Sequence, residues 1–359
     1  MVDRGHLGTM PLGTERDDDS YLDFVEGVRI FNQSQVSAVV AQKSNEAIAS
    51  YEARTGEKVA TIEKIREVLD PVPVVATRNR LARSSQEMMW EKVIETYRKR
   101  EPELLRELEI ADRSGPGSVE YDPNFQQPDY FAKVEFHIQP GNYHADPLAG
   151  YIYHYGTKVF FTGRNNNDDV QRSAVMSSPL PKDGVVRRVL DQACSVGQSS
   201  TAWKERFPQA EVWGIDAGAP MVRYAHKRAV DMGLDVHFAQ RLAEDCKFPD
   251  NYFDVAYAFI MYHEVPQHTM KAIIRETHRV LRPGGVYIIV DFPTRGPNGK
   301  ASNPASDYFR DFDTHDNGEP YASDFVYSDF HGELRKVFSE VIENYEGAKT
   351  FLPMRVCYK

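Results

Sequence analysis

At 359 residues the chain is long enough for one large domain or two modest ones. Its 43 basic and 53 acidic residues leave a formal charge of −10, which argues against a dominant basic face for nucleic acid. An apolar content of 41% supplies a core, no apolar run approaches the roughly 20 residues of a membrane span, and Cys194, Cys246 and Cys357 are too scattered for a disulfide framework or a zinc site.

The stretch 1–20, with its glycines and the acidic Asp17, Asp18 and Asp19, has no apolar centre. It reads as disordered rather than as a secretory leader, so a soluble, cytoplasmic protein is expected. From Tyr21 to about Tyr51 the spacing of Val28, Phe31, Val36, Val39 and Val40 predicts a helix. A second run through Ile62, Ile65, Val68 and Leu69 stops at Pro71 and Pro73, which remove helix donors. Ser84 and Glu87 resemble a capping box opening a helix through Arg98, and Leu104, Leu105 and Leu108 continue the pattern behind Pro102. The sequence Ser114-Gly115-Pro116-Gly117-Ser118 then breaks the chain.

Residues 130–161 are crowded with aromatics and histidines, after which Arg164–Asp169 reads as a loop and Ser177–Gly184 as a linker. From Val185 short apolar strands alternate with helical runs. The strands are Val189-Leu190, Val212–Asp216, Asp254–Ile260 and Val286–Val290; the helical runs are Met221–Met232 and Thr269–Leu281. This alternation predicts an α/β fold, a doubly wound, Rossmann-like parallel sheet with helices on both faces. Three parts follow: a disordered 1–20, a helical cap or dimerisation region over 21–180 that includes the aromatic segment, and the sheet domain over 181–359.

In such sheets ligands lie outside the carboxyl ends of the strands. Asp191-Gln192-Ala193-Cys194-Ser195-Val196-Gly197 is a loop of small residues there, able to bring its backbone amides close to a ligand. Asp216 ends the next strand, where a carboxylate suits the two hydroxyls of a ribose. Four ordered segments carry a specific likeness: Asp191 to Gly197; Trp213-Gly214-Ile215-Asp216; Ala243-Glu244-Asp245 leading to Phe248-Pro249-Asp250; and Arg279-Val280-Leu281-Arg282-Pro283-Gly284-Gly285. Residues 185–292 resemble the class I S-adenosylmethionine-dependent methyltransferases, nearest to the ubiquinone/menaquinone C-methyltransferase-like group.

The resemblance implies S-adenosyl-L-methionine as cofactor, methyl transfer to a small-molecule acceptor, and a homodimer as one possible assembly. It places Asp191, Ala193, Cys194, Ser195, Gly197 and Asp216 around the cofactor, followed by Ala217, Met221, Leu242, Ala243, Glu244, Ala258 and Phe259. Two departures stand out. Ala193 and Ser195 replace the first two glycines of the family loop, where an added side chain narrows the space and disfavours positive φ. Leu242 replaces an acidic residue and removes an acceptor for the adenine amino group. The same fold also accommodates a non-methylating rearrangement of a bound substrate, or a scaffold that holds no cofactor.

For the chemical step, a titratable group near the acceptor would take its proton. His263, in Met261-Tyr262-His263-Glu264 after the strand Asp254–Ile260, ranks first and His144 second. Tyr143, Tyr151, Tyr153, Tyr155, Tyr262, His263 and Phe312 are the candidate acceptor contacts. The tyrosines around 151–155 fit either a lid over the pocket or an alternating strand, and the aromatic stretch after Asp307 fits either the pocket or the core of a helical hairpin. Cys194 has no base beside it in sequence, and the histidines show no metal-ligand spacing, so no metal is expected.

Overall fold

The computed structural model describes residues 6–7, 10–11, 14–297 and 304–359. Two short strands, β1 (His6–Leu7) and β2 (Met10–Pro11), pair antiparallel. The remainder of 1–13 lies outside the described residues. The expected disorder does not extend to residue 20, because helix α1 begins at Arg16 and buries Asp18 and Asp19. These carboxylates have partners that the local sequence does not reveal. Asp18 pairs with Lys92 at 2.8 Å and Lys99 at 3.1 Å, and Asp19 accepts from Tyr155 Oη at 2.8 Å.

Helix α1 (Arg16–Phe31) continues through one π-helical turn (Asn32–Val36) into α2 (Ser37–Thr55), and α3 covers Ile62–Leu69. Helix α4 spans Pro73–Arg98, so the capping-box pattern at Ser84 is interior. Its start is instead Pro73, whose fixed φ suits the first helical position. Helix α5 (Glu101–Ala111) completes the cap bundle. Strand β3 (Ser118–Glu120), a short α6 (Asp129–Ala132), α7 (Ala149–Phe160) and α8 (Asp169–Ser177) follow. The aromatic segment is therefore a helix rather than a strand.

The sheet domain runs β4 (Arg188–Gln192), α9 (Gln198–Arg206), β5 (Glu211–Asp216), α10 (Ala219–Asp231), β6 (His237–Gln240), β7 (Phe253–Phe259), α11 (Gln267–Val280) and β8 (Leu281–Val290). Helices α12 (Pro304–Asp316), α13 (Ala322–Val326) and α14 (Phe330–Arg335) precede β9 (Glu340–Ile342) and β10 (Met354–Tyr358). The eight-stranded sheet has the order β3-β6-β5-β4-β7-β8-β10-β9. Strands β3 to β8 pair in parallel, whereas β10 is antiparallel to both β8 and β9. Strand order reverses at β4, which opens a crevice at the carboxyl ends of β4, β5 and β7.

Alternate residues of the strands face opposite layers. Val189, Val212, Val286 and Ile288 pack with Trp203 of α9 and Val222 and Ala225 of α10. Leu190, Ile215, Tyr287 and Ile289 pack with Met270, Ile273 and Ile274 of α11 and Phe330 and Leu334 of α14. The cap is continuous with this domain, since Met89, Trp90, Val93 and Ile152 share one core with Val196, Met221 and Tyr224. Gly150 permits that approach: a Cβ there would lie 2.3 Å from the Tyr224 Cβ.

Candidate active site

One cavity occupies the crevice between the carboxyl ends of the strands and the cap. Asp191 ends β4 and accepts from Ser200 Oγ at 2.5 Å. Burial and the nearby Asp216 charge push its carboxyl up to about 7, although the Ser200 hydrogen bond opposes the rise. Asp216 ends β5 with one oxygen on the Ser195 N–H at 3.0 Å and the other on the Gly218 N–H at 2.8 Å. Burial raises its pKa to about 6 against the pull of those two donors. Each oxygen keeps a further acceptor site open toward the cavity.

The loop between Asp191 and α9 adopts the conformation its sequence disfavours. Ala193 has φ 49° and Ser195 φ 52°, left-handed values that cost a side-chain-bearing residue about 1–2 kcal/mol each. The Asp216 carboxylate holds this loop through Ser195, and the buried Arg228 donates to the Val196 carbonyl at 2.8 Å. Ser195 Oγ and Glu244 Oε2 are buried cavity-side atoms without a hydrogen-bond partner among the described residues, while Glu244 Oε1 accepts from Tyr130 Oη at 2.6 Å.

Of the residues expected around the cofactor, Asp191, Ala193, Cys194, Ser195, Asp216 and Ala217 line the cavity. Met221, Leu242, Ala243, Glu244 and Phe259 join them. Two do not. Ala258 faces the α11 layer, and a Cβ on Gly197 would meet Phe238 at 2.9 Å and Ala225 at 3.0 Å, so that glycine serves packing beneath the loop. Burial and the charges of Asp216 and Asp191 drive the Cys194 thiol well above its ordinary range, which disfavours a thiolate nucleophile.

His263 lines the cavity and is fully buried. Its Nδ1 lies 2.7 Å from Asp291 Oδ1, at the carboxyl end of β8, and its ring stacks on Phe292 with centroids 4.0 Å apart. Nε2, on the opposite ring edge, has no hydrogen-bond partner among the described residues. Burial alone would lower the imidazole pKa, but the Asp291 charge and hydrogen bond raise it above the ordinary value. His144 does not reach the cavity lining: it packs against Phe131 at 5.5 Å, and burial lowers its pKa.

Tyr143 and Tyr153 line the cavity and meet edge to face at 5.3 Å. Tyr151, Tyr155, Tyr262 and Phe312 stand elsewhere. Helical periodicity turns Tyr151 and Tyr155 away from Tyr153; Tyr151 packs on Tyr224 at 4.4 Å and Tyr155 reaches Asp19. The Tyr262 hydroxyl is tied to that of Tyr287 at 2.8 Å inside the α11 layer. Phe312 lies beneath the Arg78 guanidinium, 5.0 Å away.

The residues that sequence reading missed are Trp90, Phe136, His137, Phe292 and Glu319, all in the lining, and Asp291 behind His263. Asp291 carried a signal, a carboxylate directly after an apolar strand. His137 and Glu319 carried none, because their roles depend on partners distant in the chain.

Residues 189–285 match the family model of a methyltransferase domain. The demethylmenaquinone methyltransferase of Thermus thermophilus is 36% identical over 110 residues, covering 30% of this chain and 48% of that protein. The ubiquinone/menaquinone biosynthesis C-methyltransferase of Neisseria meningitidis is 33% identical over 107 residues, 29% of this chain and 42% of its own length. The chain thus spans less than half the length of these relatives. The geranyl diphosphate C-methyltransferase structure from Streptomyces coelicolor aligns over 64% of this chain and 71% of its own at 16% identity, with a TM-score of 0.39. Among the described residues no helix is long and apolar enough to cross a membrane.

Proposed function

We propose that the protein is an S-adenosylmethionine-dependent methyltransferase acting on a small organic acceptor. The observation that carries this reading is a single cavity in which the Asp216 carboxylate, the loop 193–197 and Glu244 face cap aromatics and the free His263 Nε2. The donor set fits the cofactor. The open acceptor sites of Asp216 take the two ribose hydroxyls, while Ser195 Oγ and Glu244 Oε2 are buried polar atoms that a polar ligand would satisfy.

When bound, the cofactor supplies an electrophilic methyl group on a cationic sulfur. The chain's own residues do the remaining work. Tyr143, Tyr153, Phe136 and Phe160 shape an apolar compartment that excludes water and orients the acceptor. Their ring faces suit a positively charged neighbour. His263 accepts the acceptor's proton at Nε2, and Asp291 fixes the ring orientation and stabilises the imidazolium that results.

Calorimetric titration with S-adenosylhomocysteine tests the reading. Saturable one-to-one binding is expected, and its absence overturns the proposal. Release of S-adenosylhomocysteine in proportion to product separates methyl transfer from a rearrangement on the same fold.

A further inference from the structure

The acceptor side of the cavity holds a polar knot beyond the His263–Asp291 pair. His137 Nε2 lies 3.3 Å from Glu264 Oε1, and its Nδ1 lies 3.4 Å from Glu319 Oε1. The three residues come from the cap, the loop after β7 and the loop after α12. His137 and Ile138 both have φ 53°, and the His137 carbonyl is held there by Trp90 Nε1 at 2.8 Å and Gln86 Nε2 at 2.7 Å. Two successive strained residues, the first of them in the cavity wall, mark a side chain placed for use.

Cations and carboxylates from several segments meet in this knot. Burial works against a charged His137, but the two carboxylates override it and raise the imidazole to about 10. One imidazolium then faces two glutamates. Arg310 Nη1 stands 3.8 Å from Glu319 Oε2, a second cation beyond hydrogen-bond reach and outside the cavity wall, while burial raises the pKa of its other neighbour, Asp313, to about 7. Glu319 Oε2 is a buried oxygen without a hydrogen-bond partner among the described residues, like His263 Nε2 nearby. Aromatic rings line the group: Phe160 lies 5.2 Å from the His137 ring and carries the Arg29 guanidinium at 5.1 Å, and Phe292 stacks on His263 and carries the Arg310 guanidinium at 4.3 Å.

We propose that this end of the cavity, between Glu264, Glu319 and His263, binds the protonated amine of an apolar acceptor. The inference rests on the methyltransferase reading and names the acceptor class. A buried carboxylate oxygen with no donor in hydrogen-bond reach is best satisfied by a charged N–H group, and the apolar rings beside it suit the body of such an acceptor. A phosphate or carboxylate acceptor would meet like charge. The proton step also balances: one ammonium N–H bond breaks, an H–Nε2 bond forms on His263, and the electron pair stays on the amine nitrogen as its nucleophilic lone pair.

Calorimetry on the full chain tests this with three probes of similar shape, 2-phenylethylammonium, 2-phenylethanol and 3-phenylpropionate, with and without S-adenosylhomocysteine. The amine is expected to bind at least about tenfold more tightly than the alcohol, the lower bound for one charge-assisted hydrogen bond, and the acid not to saturate. Glu319→Gln should remove about that factor for the amine and leave the alcohol nearly unchanged. If Glu319→Gln does not fold, Glu264→Gln should show the same selective loss. The proposal is overturned if the amine does not saturate, if the alcohol or acid binds as tightly as the amine, or if a folded Gln variant keeps full amine affinity. Failure of S-adenosylhomocysteine to bind would instead refute the methyltransferase reading, and the probe ranking without it would still be read.

Discussion

Replacing Asp216 with alanine would separate what this carboxylate does for a ligand from what it does for the fold. Its oxygens hold the Ser195 and Gly218 N–H groups at 3.0 and 2.8 Å and keep room for the ribose hydroxyls. Charge-assisted hydrogen bonds contribute about 1.5–3 kcal/mol, so Asp216→Ala should weaken S-adenosylhomocysteine roughly tenfold to a hundredfold. Asp216→Asn should weaken it as well, because the amide offers one acceptor where the loop presents two N–H donors. The pKa near 6 adds a signature. The folded state raises this pKa, so the proton stabilises the fold at low pH and that contribution is lost as pH rises through 6. Ligand binding requires the ionised form, so affinity should be level above neutrality and fall by up to about tenfold per unit below pH 6. In Asp216→Asn that fall should flatten. Equal affinity for wild type and Asp216→Ala by calorimetry, or an unchanged pH slope in Asp216→Asn, would refute the assignment.

Three further outcomes follow from the same geometry. His263→Ala should lower turnover about 10²–10⁴-fold while S-adenosylhomocysteine affinity changes little; near-wild-type turnover would mean that alignment alone carries the step. Ala193→Gly and Ser195→Gly should each stabilise the ligand-free protein by about 0.5–1 kcal/mol in urea unfolding, because left-handed strain is relieved at some entropic cost, and destabilisation by both would contradict the strain. Gly150→Leu should force α7 away from Tyr224 and cost about 1–3 kcal/mol or more, seen as earlier unfolding and faster proteolysis of the cap; unchanged stability would show that the helices can part freely.

The sheet domain was legible because its signals are local. An apolar strand followed by a small-residue loop, a carboxylate ending the next strand and an Arg-Pro-Gly-Gly turn are contiguous patterns, and they located Asp191, Ser195, Asp216 and Glu244. Strand β6 was missed: only four residues long and flanked by polar ones, it is fixed by pairing with β5 and β3. Helix α9 was expected after the small-residue loop, but its extent was not legible because its buried serines and threonine give no apolar stripe. The acidic run at 17–19 looked solvated because Lys92, Lys99 and Tyr155, which partner Asp18 and Asp19, lie far along the chain. Side-chain direction also needed the fold. Tyr151, Tyr153 and Tyr155 would share one face of a strand, but helix α7 turns only Tyr153 of the three into the cavity. Composition and short-range spacing determine which segments are strands, turns and small-residue loops. Pairing of His263 with Asp291, and of His137 with Glu264 and Glu319, was decided only when packing brought distant segments into a common low-dielectric cavity, where a charge is tolerable only with its partner in place.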